Sequence, residues 1–456
     1  MGTMIGTVVL APVALAQEAA PQSILPSANM PAESAGSTRQ SVGEAFGDIA
    51  AQSGEVVQPV PVLVGEWSAA QARQLLAFIP TVAAEGLNPK DYDIGLADAI
   101  ARGEGAELNE IASRVFVWLV EDLRDGRTPM EARRQWFVVD PDADRLPTHK
   151  LLEDALASGR IAETLQTLAP VHADYASLKA QLATTTDPAK RKLIRANMDR
   201  WRWLPRDLGR QYLLTNVPEM QLRLTVNERI IKSYRTVVGK PGRTATPQLA
   251  EMVEAVIFNP TWTVPQSIVK GEGLGAKVLG NPGWARAAGY KATKGENGWI
   301  TVVQQPGPNN SLGLMKLDMP NEHAIFLHDT PSRHLFAQDN RALSHGCIRV
   351  EGARELAMTM SMLGNAQTRE DIPAIQQEVS EITASGKYTR YPMTKQWPVY
   401  ITYFTMGTDV EGSMRSFADV YGRDAPVLAA LDAPRQRDRA RKTSEEAVEI
   451  IDDMQT

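Results

Sequence analysis

The spacing of apolar residues changes once along this chain, near Gln211, and that change limits the fold more than any other feature. Over residues 66–200 apolar side chains recur at helical intervals: Ala70, Leu75, Leu76 and Ile79, then Ile111, Val115, Val117, Trp118, Leu119 and Leu123. An α-helix turns once in 3.6 residues, so this spacing gathers them on one face. Pro89, Pro129, Pro141 and Pro170 punctuate the stretch, as proline does between helices. From Gln211 the period is two. Residues 211–216 alternate, 221–226 place Leu222, Leu224 and Val226 on one face, and 230–238 run to Gly239-Lys240-Pro241. Short alternating runs joined by tight turns predict β-strands.

Further strands are expected at 255–258, 299–303 and 398–405, and 324–327 leads into a histidine-rich segment. Between them, residues 259–298 are glycine-rich with little periodicity. A long irregular stretch inside a compact domain is usually a lid or binding loop. A helix is expected at 351–363. The fold class is therefore α+β: a mostly helical N-terminal domain (61–200), then a β-rich domain (201–430) with a lid insertion at about 259–298.

The two ends read differently. Residues 4–16 are apolar and close on Ala14-Leu15-Ala16, the small-x-small pattern at which signal peptides are cut, although no Lys or Arg precedes them. Residues 1–16 are expected to be a signal peptide. Residues 17–60, rich in Ala, Ser, Gly, Pro and Gln, are expected to be a disordered linker. Residues 431–456 form a charged C-terminal tail. No later segment approaches the ~18 apolar residues of a membrane helix, so no stable membrane span is expected after signal cleavage. The formal net charge of −6 argues against a nucleic-acid partner.

The chain has one cysteine, Cys347, which excludes an internal disulfide. Four of the six histidines fall between His323 and His345. The segment reads His328-Asp329-Thr330-Pro331, then Arg333 and His334, then Ser344-His345-Gly346-Cys347-Ile348-Arg349. Three readings stand side by side. In the first, His328 activates Cys347 as a nucleophile, because a free thiol is only a few per cent thiolate at neutral pH. Gly346 then removes a side chain next to the sulfur, and an expected helix after Cys347 favours an anion. In the second the cluster binds a metal, but it has no Cys-x-x-Cys and no His-Glu-x-x-His spacing. In the third the thiol and the imidazoles are simply buried. His149 and His172 stand alone and read as structural.

The segment from His328 through Ser344-His345-Gly346-Cys347-Ile348-Arg349 resembles the catalytic signature of the L,D-transpeptidase family (YkuD type). Arg200-Trp201-Arg202-Trp203-Leu204-Pro205, Asn259-Pro260, Trp262, Val264-Pro265, Ser267-Ile268 and Tyr421-Gly422-Arg423-Asp424 resemble the larger YcbB-like branch, as do Glu85-Gly86-Leu87-Asn88-Pro89 and Leu123-Arg124-Asp125-Gly126-Arg127. That branch usually carries a helical peptidoglycan-binding module between its scaffold and catalytic domains, and residues 175–198 are too few to hold one. The resemblance implies a periplasmic enzyme that cross-links peptidoglycan stem peptides, donor and acceptor, through a thioester on Cys347, without cofactor or metal. The resemblance also implies a target of carbapenem-type acylating drugs. His328 is the implied base. Ser344, His345 and Gly346 form the implied oxyanion loop, and Arg349, Trp262 and Asp329 are substrate contacts, with Trp284 a further lid residue. The linkage implied is 3-3. A 1-3 linkage, an L,D-carboxypeptidase or endopeptidase, and a non-enzymatic wall-binding protein stay open as alternatives.

Overall fold

The computed structural model describes residues 63–139 and 142–435. The expected signal peptide and linker, and the tail beyond residue 435, lie outside the described residues.

The N-terminal part is helical. Its first helix, Ala69–Phe78, starts at a capping box: Ser68 Oγ accepts from the Gln71 N–H, and the Gln71 side chain accepts from the Ser68 N–H. The 19-residue helix Ala106–Arg124 buries Leu108, Ala112, Val115, Phe116, Leu119 and Leu123. With Trp67, Leu75, Val82, Leu152, Ile161 and Leu165 these form one hydrophobic core.

Two later helices, Ala173–Thr184 and Pro188–Trp201, belong to a different core. Tyr175, Leu178, Leu182, Ile194, Met198 and Trp201 pack in the same cluster as the strand residues Tyr212, Leu213, Leu249 and Val399. The second helix opens with proline at its first turn, where no N–H partner is needed, and the Asp187 carboxylate caps Ala189 N at 2.9 Å.

The β-rich part begins with strands β1 (Gln211–Asn216), β2 (Gln221–Val226), β3 (Arg229–Gly239) and β4 (Leu249–Phe258). Next come β5 (Trp262–Thr263), β6 (Tyr290–Lys294) and β7 (Ile300–Gln304), then β8 (Met315–Asp318), β9 (Leu327–His328), β10 (Ala342–Ser344), β11 (Ile348–Val350) and β12 (Thr389–Thr402). One sheet runs β10-β3-β11-β9-β8-β4-β12-β1-β2, and β2 also pairs with β3. The pairing therefore closes on itself through the long strand β3. Residues 229–235 of β3 pair with β2, Thr236 and Val237 pair with β11, and Val238 and Gly239 pair with β10. The helix Ala353–Asn365 packs on β12, β8 and β4, burying Leu356, Ala357 and Met360.

Two expectations are corrected. Residues 259–298 are not irregular. They hold three short helices, Gln266–Val269, Leu274–Gly280 and Pro282–Ala287, and a sheet in the order β5-β7-β6 around Val264, Ile268, Val269, Val278, Ala285 and Val302. Helices of 4, 7 and 6 residues are too short to show a period. The expected 299–303 strand belongs to this lid. Second, the helix expected at 351–363 is present as Ala353–Asn365, but its N-terminus does not lie at Cys347. The chain continues as β11, and the helix starts at Ala353. No helix among the described residues is long and apolar enough to cross a membrane.

Candidate active site

The site forms where three strands lie side by side. β9 and β11 are parallel, with Ile348 opposite Leu327 and Arg349 opposite His328. β8 is antiparallel to β9, with Lys316 opposite His328. Residues directly opposite in a ladder point to one face of the sheet. The other face is the core side, where Met315, Leu317, Ile348 and Val350 are buried. Cys347 is two residues before Arg349, so the register puts it on the same side of the sheet as His328, 347 − 328 = 19 positions away in sequence.

The histidine is held through its backbone neighbour. His328 Nδ1 donates to the Asp329 carbonyl at 2.5 Å, and the Leu312 backbone also bonds the ring. His328 is 4% exposed. Burial chiefly, then the Arg349 guanidinium and the Lys316 ammonium, push its pKa down to about 3, against the opposing pull of the Asp329 and Leu312 backbones. The thiol is partly open to solvent, and Cys347 Sγ donates to the Ala324 carbonyl at 3.5 Å. Burial raises its pKa above the ordinary value, while the Phe326 N–H, Lys316 and Arg349 pull it down. At rest, both groups are therefore neutral near pH 7.

The loop around the sulfur is set by side chains that do not touch it. Ser344 Oγ donates to the Cys347 carbonyl at 2.6 Å and accepts from Gly346 N at 3.1 Å, closing a tight turn. Gly346 has φ +124°, and a Cβ there would sit 3.2 Å from Ile325 Cδ1. Only glycine adopts that backbone without strain. Thr246 Oγ1 donates to the Gly346 carbonyl at 2.7 Å and accepts from Gly239 N at 2.8 Å. Tyr421 Oη donates to the Gly239 carbonyl at 2.6 Å and accepts from Thr246 N at 3.2 Å. The backbone N–H groups of His345 and Cys347 have no acceptor in another residue among the described residues. His345 Nε2 meets Glu272 Oε1 of the lid at 2.8 Å.

The remaining residues singled out from the sequence fall in several places. Arg349 is half-buried beside the thiol and has no carboxylate partner among the described residues. Asp329 is 1% exposed. Its carboxylate accepts from Leu314 N at 2.9 Å and Thr330 N at 2.7 Å and pairs with Arg333 at 2.7 Å. That side chain ties down the strand end and turns no free oxygen to the open face. Trp262 packs against the lid core, and Trp284 is stacked on Tyr290 with Lys277 Nζ 3.9 Å from its ring centroid. His172 caps Asp174 N, bonds the Tyr212 hydroxyl at 2.8 Å and stacks on Trp201. Lys316 and Thr246 were not singled out. Thr246 carries no local signal, because its partner is 100 residues away. Lys316 sits in an alternating run, Met315-Lys316-Leu317-Asp318, which gives its face but not its neighbour.

Comparisons with known proteins agree with this architecture. The family model of the L,D-transpeptidase catalytic domain (YkuD) matches residues 210–401, and that of the Scaffold domain matches residues 62–182. A putative L,D-transpeptidase of Haemophilus influenzae (strain ATCC 51907 / DSM 11121 / KW20 / Rd) is 25% identical over 386 residues, covering 79% of this chain and 76% of that protein. Two solved structures also match. The avibactam carbamoyl enzyme of Ldtfm is 13% identical with a TM-score of 0.21, over 44% of this chain and 51% of that one. L,D-transpeptidase 1 of Mycobacterium tuberculosis is 8% identical with a TM-score of 0.18, over 44% of this chain and 63% of that one. The chain thus spans less than two thirds of either solved chain. Residues 210–401 are an L,D-transpeptidase catalytic domain of the YkuD family, and they follow a Scaffold domain.

Proposed function

We propose that this protein is a periplasmic peptidoglycan L,D-transpeptidase that joins stem peptides through a thioester on Cys347, with 3-3 linkages as its product. The observation that carries the reading is the strand register. It sets His328 opposite Arg349, one alternation from Cys347, with Nδ1 already engaged by the Asp329 carbonyl.

In the first half-reaction the Cys347 sulfur attacks an amide carbonyl carbon of the donor stem while its proton passes to His328 Nε2. Because thiol and imidazole are both neutral at rest, proton transfer and attack proceed together rather than from a preformed ion pair. The developing oxyanion is received by the N–H groups of His345 and Cys347, which bond no other residue among the described residues, while the Gly346 N–H is occupied by Ser344. The C–N bond then breaks and the leaving amine takes the proton from Nε2. In the second half-reaction an acceptor amine attacks the thioester, gives a proton to Nε2, and sulfur leaves and regains it. Arg349 holds a substrate carboxylate through its planar fork, and Trp262 supports the lid above.

Mass analysis of muropeptides made by the purified enzyme from tetrapeptide monomers tests this. Dimers joined between two diamino-acid residues are expected. Dimers joined through L-Ala would replace the 3-3 linkage by 1-3. Shortened monomers alone would mean that water is the acceptor and would overturn transpeptidation.

A further inference from the structure

Lys316 has no task in the transfer chemistry above. It faces His328 across β8 and β9, and His328 faces Arg349 across β9 and β11. A row of Lys316, His328 and Arg349 therefore crosses three adjacent strands on one face of the sheet, with Cys347 at its edge. The Lys316 ammonium is half-buried and lies 3.8 Å from the centroid of the Phe326 ring. That ring belongs to the segment whose carbonyl receives Ile348 N at 2.9 Å, so it fixes the cation beside the cysteine strand.

Asp318 on its own strand is the stronger electrostatic partner of this cation, and Cys347 the next. Among the described residues Lys316 Nζ makes no hydrogen bond and no ion pair. Asp318, the acidic residue on its own strand face, is bound to Arg390 at 2.6 Å. Taking an ammonium partly out of water without a carboxylate is costly. With Asp318 shared with Arg390, the sulfur is the second anion that its position favours, and Lys316 and Cys347 act on each other electrostatically.

The charged groups around Cys347 can be named element by element. Its own loop brings Arg349 and His345, the latter engaged by Glu272 of the lid. β9 brings His328, followed by Asp329, which is bound to Arg333. β8 brings Lys316 and the occupied Asp318.

We propose that Lys316 is a positioning residue of the transfer reaction: its ammonium favours the negative charge that develops on Cys347 Sγ and keeps His328 uncharged. Two consequences follow in the reaction cycle. The imidazole is available as a base before attack. Once it has taken the thiol proton, the neighbouring cations drive that proton on to the leaving amine. The inference rests on the reading of Cys347 as nucleophile.

The single cysteine makes the test direct, because iodoacetamide then reads this thiol alone. Lys316→Met keeps the apolar stem and removes the charge. Lys316→Gln repeats the comparison with a polar side chain, and Lys316→Arg restores the charge. In both neutral variants the midpoint of the alkylation rate against pH is expected to rise by about one unit, and the rate at pH 7 to fall roughly three- to tenfold. Lys316→Arg is expected to keep the parental midpoint. A packing role would lower the melting temperature without moving the midpoint. A folded neutral variant with the parental midpoint overturns the proposal, as does an Arg variant shifted as far as Met. Alkylation needs no turnover, so a Cys347→Ala protein that still cross-links would sink the nucleophile reading while leaving this comparison intact.

Discussion

At the residue scale the site works by controlled neutrality. His328 has a pKa of about 3 in the folded protein and an ordinary value near 6.5 when unfolded. Between those values the unfolded chain binds the extra proton, so stability is fully present above about pH 6.5 and falls as pH drops towards 3. His328→Gln removes this dependence. Urea unfolding of both proteins from pH 7 to pH 4 is expected to show a steeper acid loss in the parent, and a constant gap between the two curves would contradict it. Thr246 acts one step away, since its hydroxyl holds the Gly346 carbonyl. Thr246→Val leaves that buried acceptor and the Gly239 N–H unsatisfied. It is expected to cost about 1–3 kcal/mol in denaturant unfolding and to slow turnover more than substrate binding. The cysteine, the histidine and the glycine were legible in the sequence because they lie in one short signature. Lys316 was not, because strand register between β8 and β9 is a long-range property with no local mark.

Element by element, the sequence reported periods well and destinations poorly. Helical spacing marked 173–201, yet the two helices there serve the core of the sheet. Spacing fixes which side of a helix is apolar, not which core receives it. Ile194 is fully buried in that core. Ile194→Ala is expected to cost about 2–5 kcal/mol, measured by urea unfolding of the catalytic part's tryptophan signal, and a loss below about 1 kcal/mol would show that the helix is peripheral. The lid was legible only as an absence of pattern. Its helices are short, and Gly273 at φ +70° and Asn281 mark their starts. The pair between His345 and Glu272 joins that lid to the loop before Cys347, but both side chains are about half exposed, so it adds little stability.

Across the molecule, among the described residues, charged side chains join helical and β-rich parts at several places, one of them around Trp201. Trp201 stacks on His172 on one side and Phe404 on the other. Beside it Arg200 pairs with Asp424 at 2.7 Å, and Arg202 reaches the Tyr175 hydroxyl at 2.6 Å. The Arg-Trp-Arg-Trp run was visible as a motif, but its work as a two-sided clamp depends on partners from three other segments. Another junction is Arg435, which meets Asp122 at 3.0 Å and Glu121 at 2.6 Å and lies over the Trp118 ring. Removing one partner of a buried ion pair leaves the other charge uncompensated. Arg435→Ala is therefore expected to cost about 3–5 kcal/mol, and an unfolding curve superimposable on the parent would show that the junction is idle.

The central claim is that Cys347 carries the acyl group between two stem peptides. Mixing the purified protein with donor muropeptide, quenching in acid and mapping the adduct by peptide mass tests it most directly. The expected result is an acyl mass increment on the peptide holding Cys347, absent from a folded Cys347→Ala protein that makes no dimers. Dimers formed at the parental rate by Cys347→Ala, with no adduct on the parent, would contradict it.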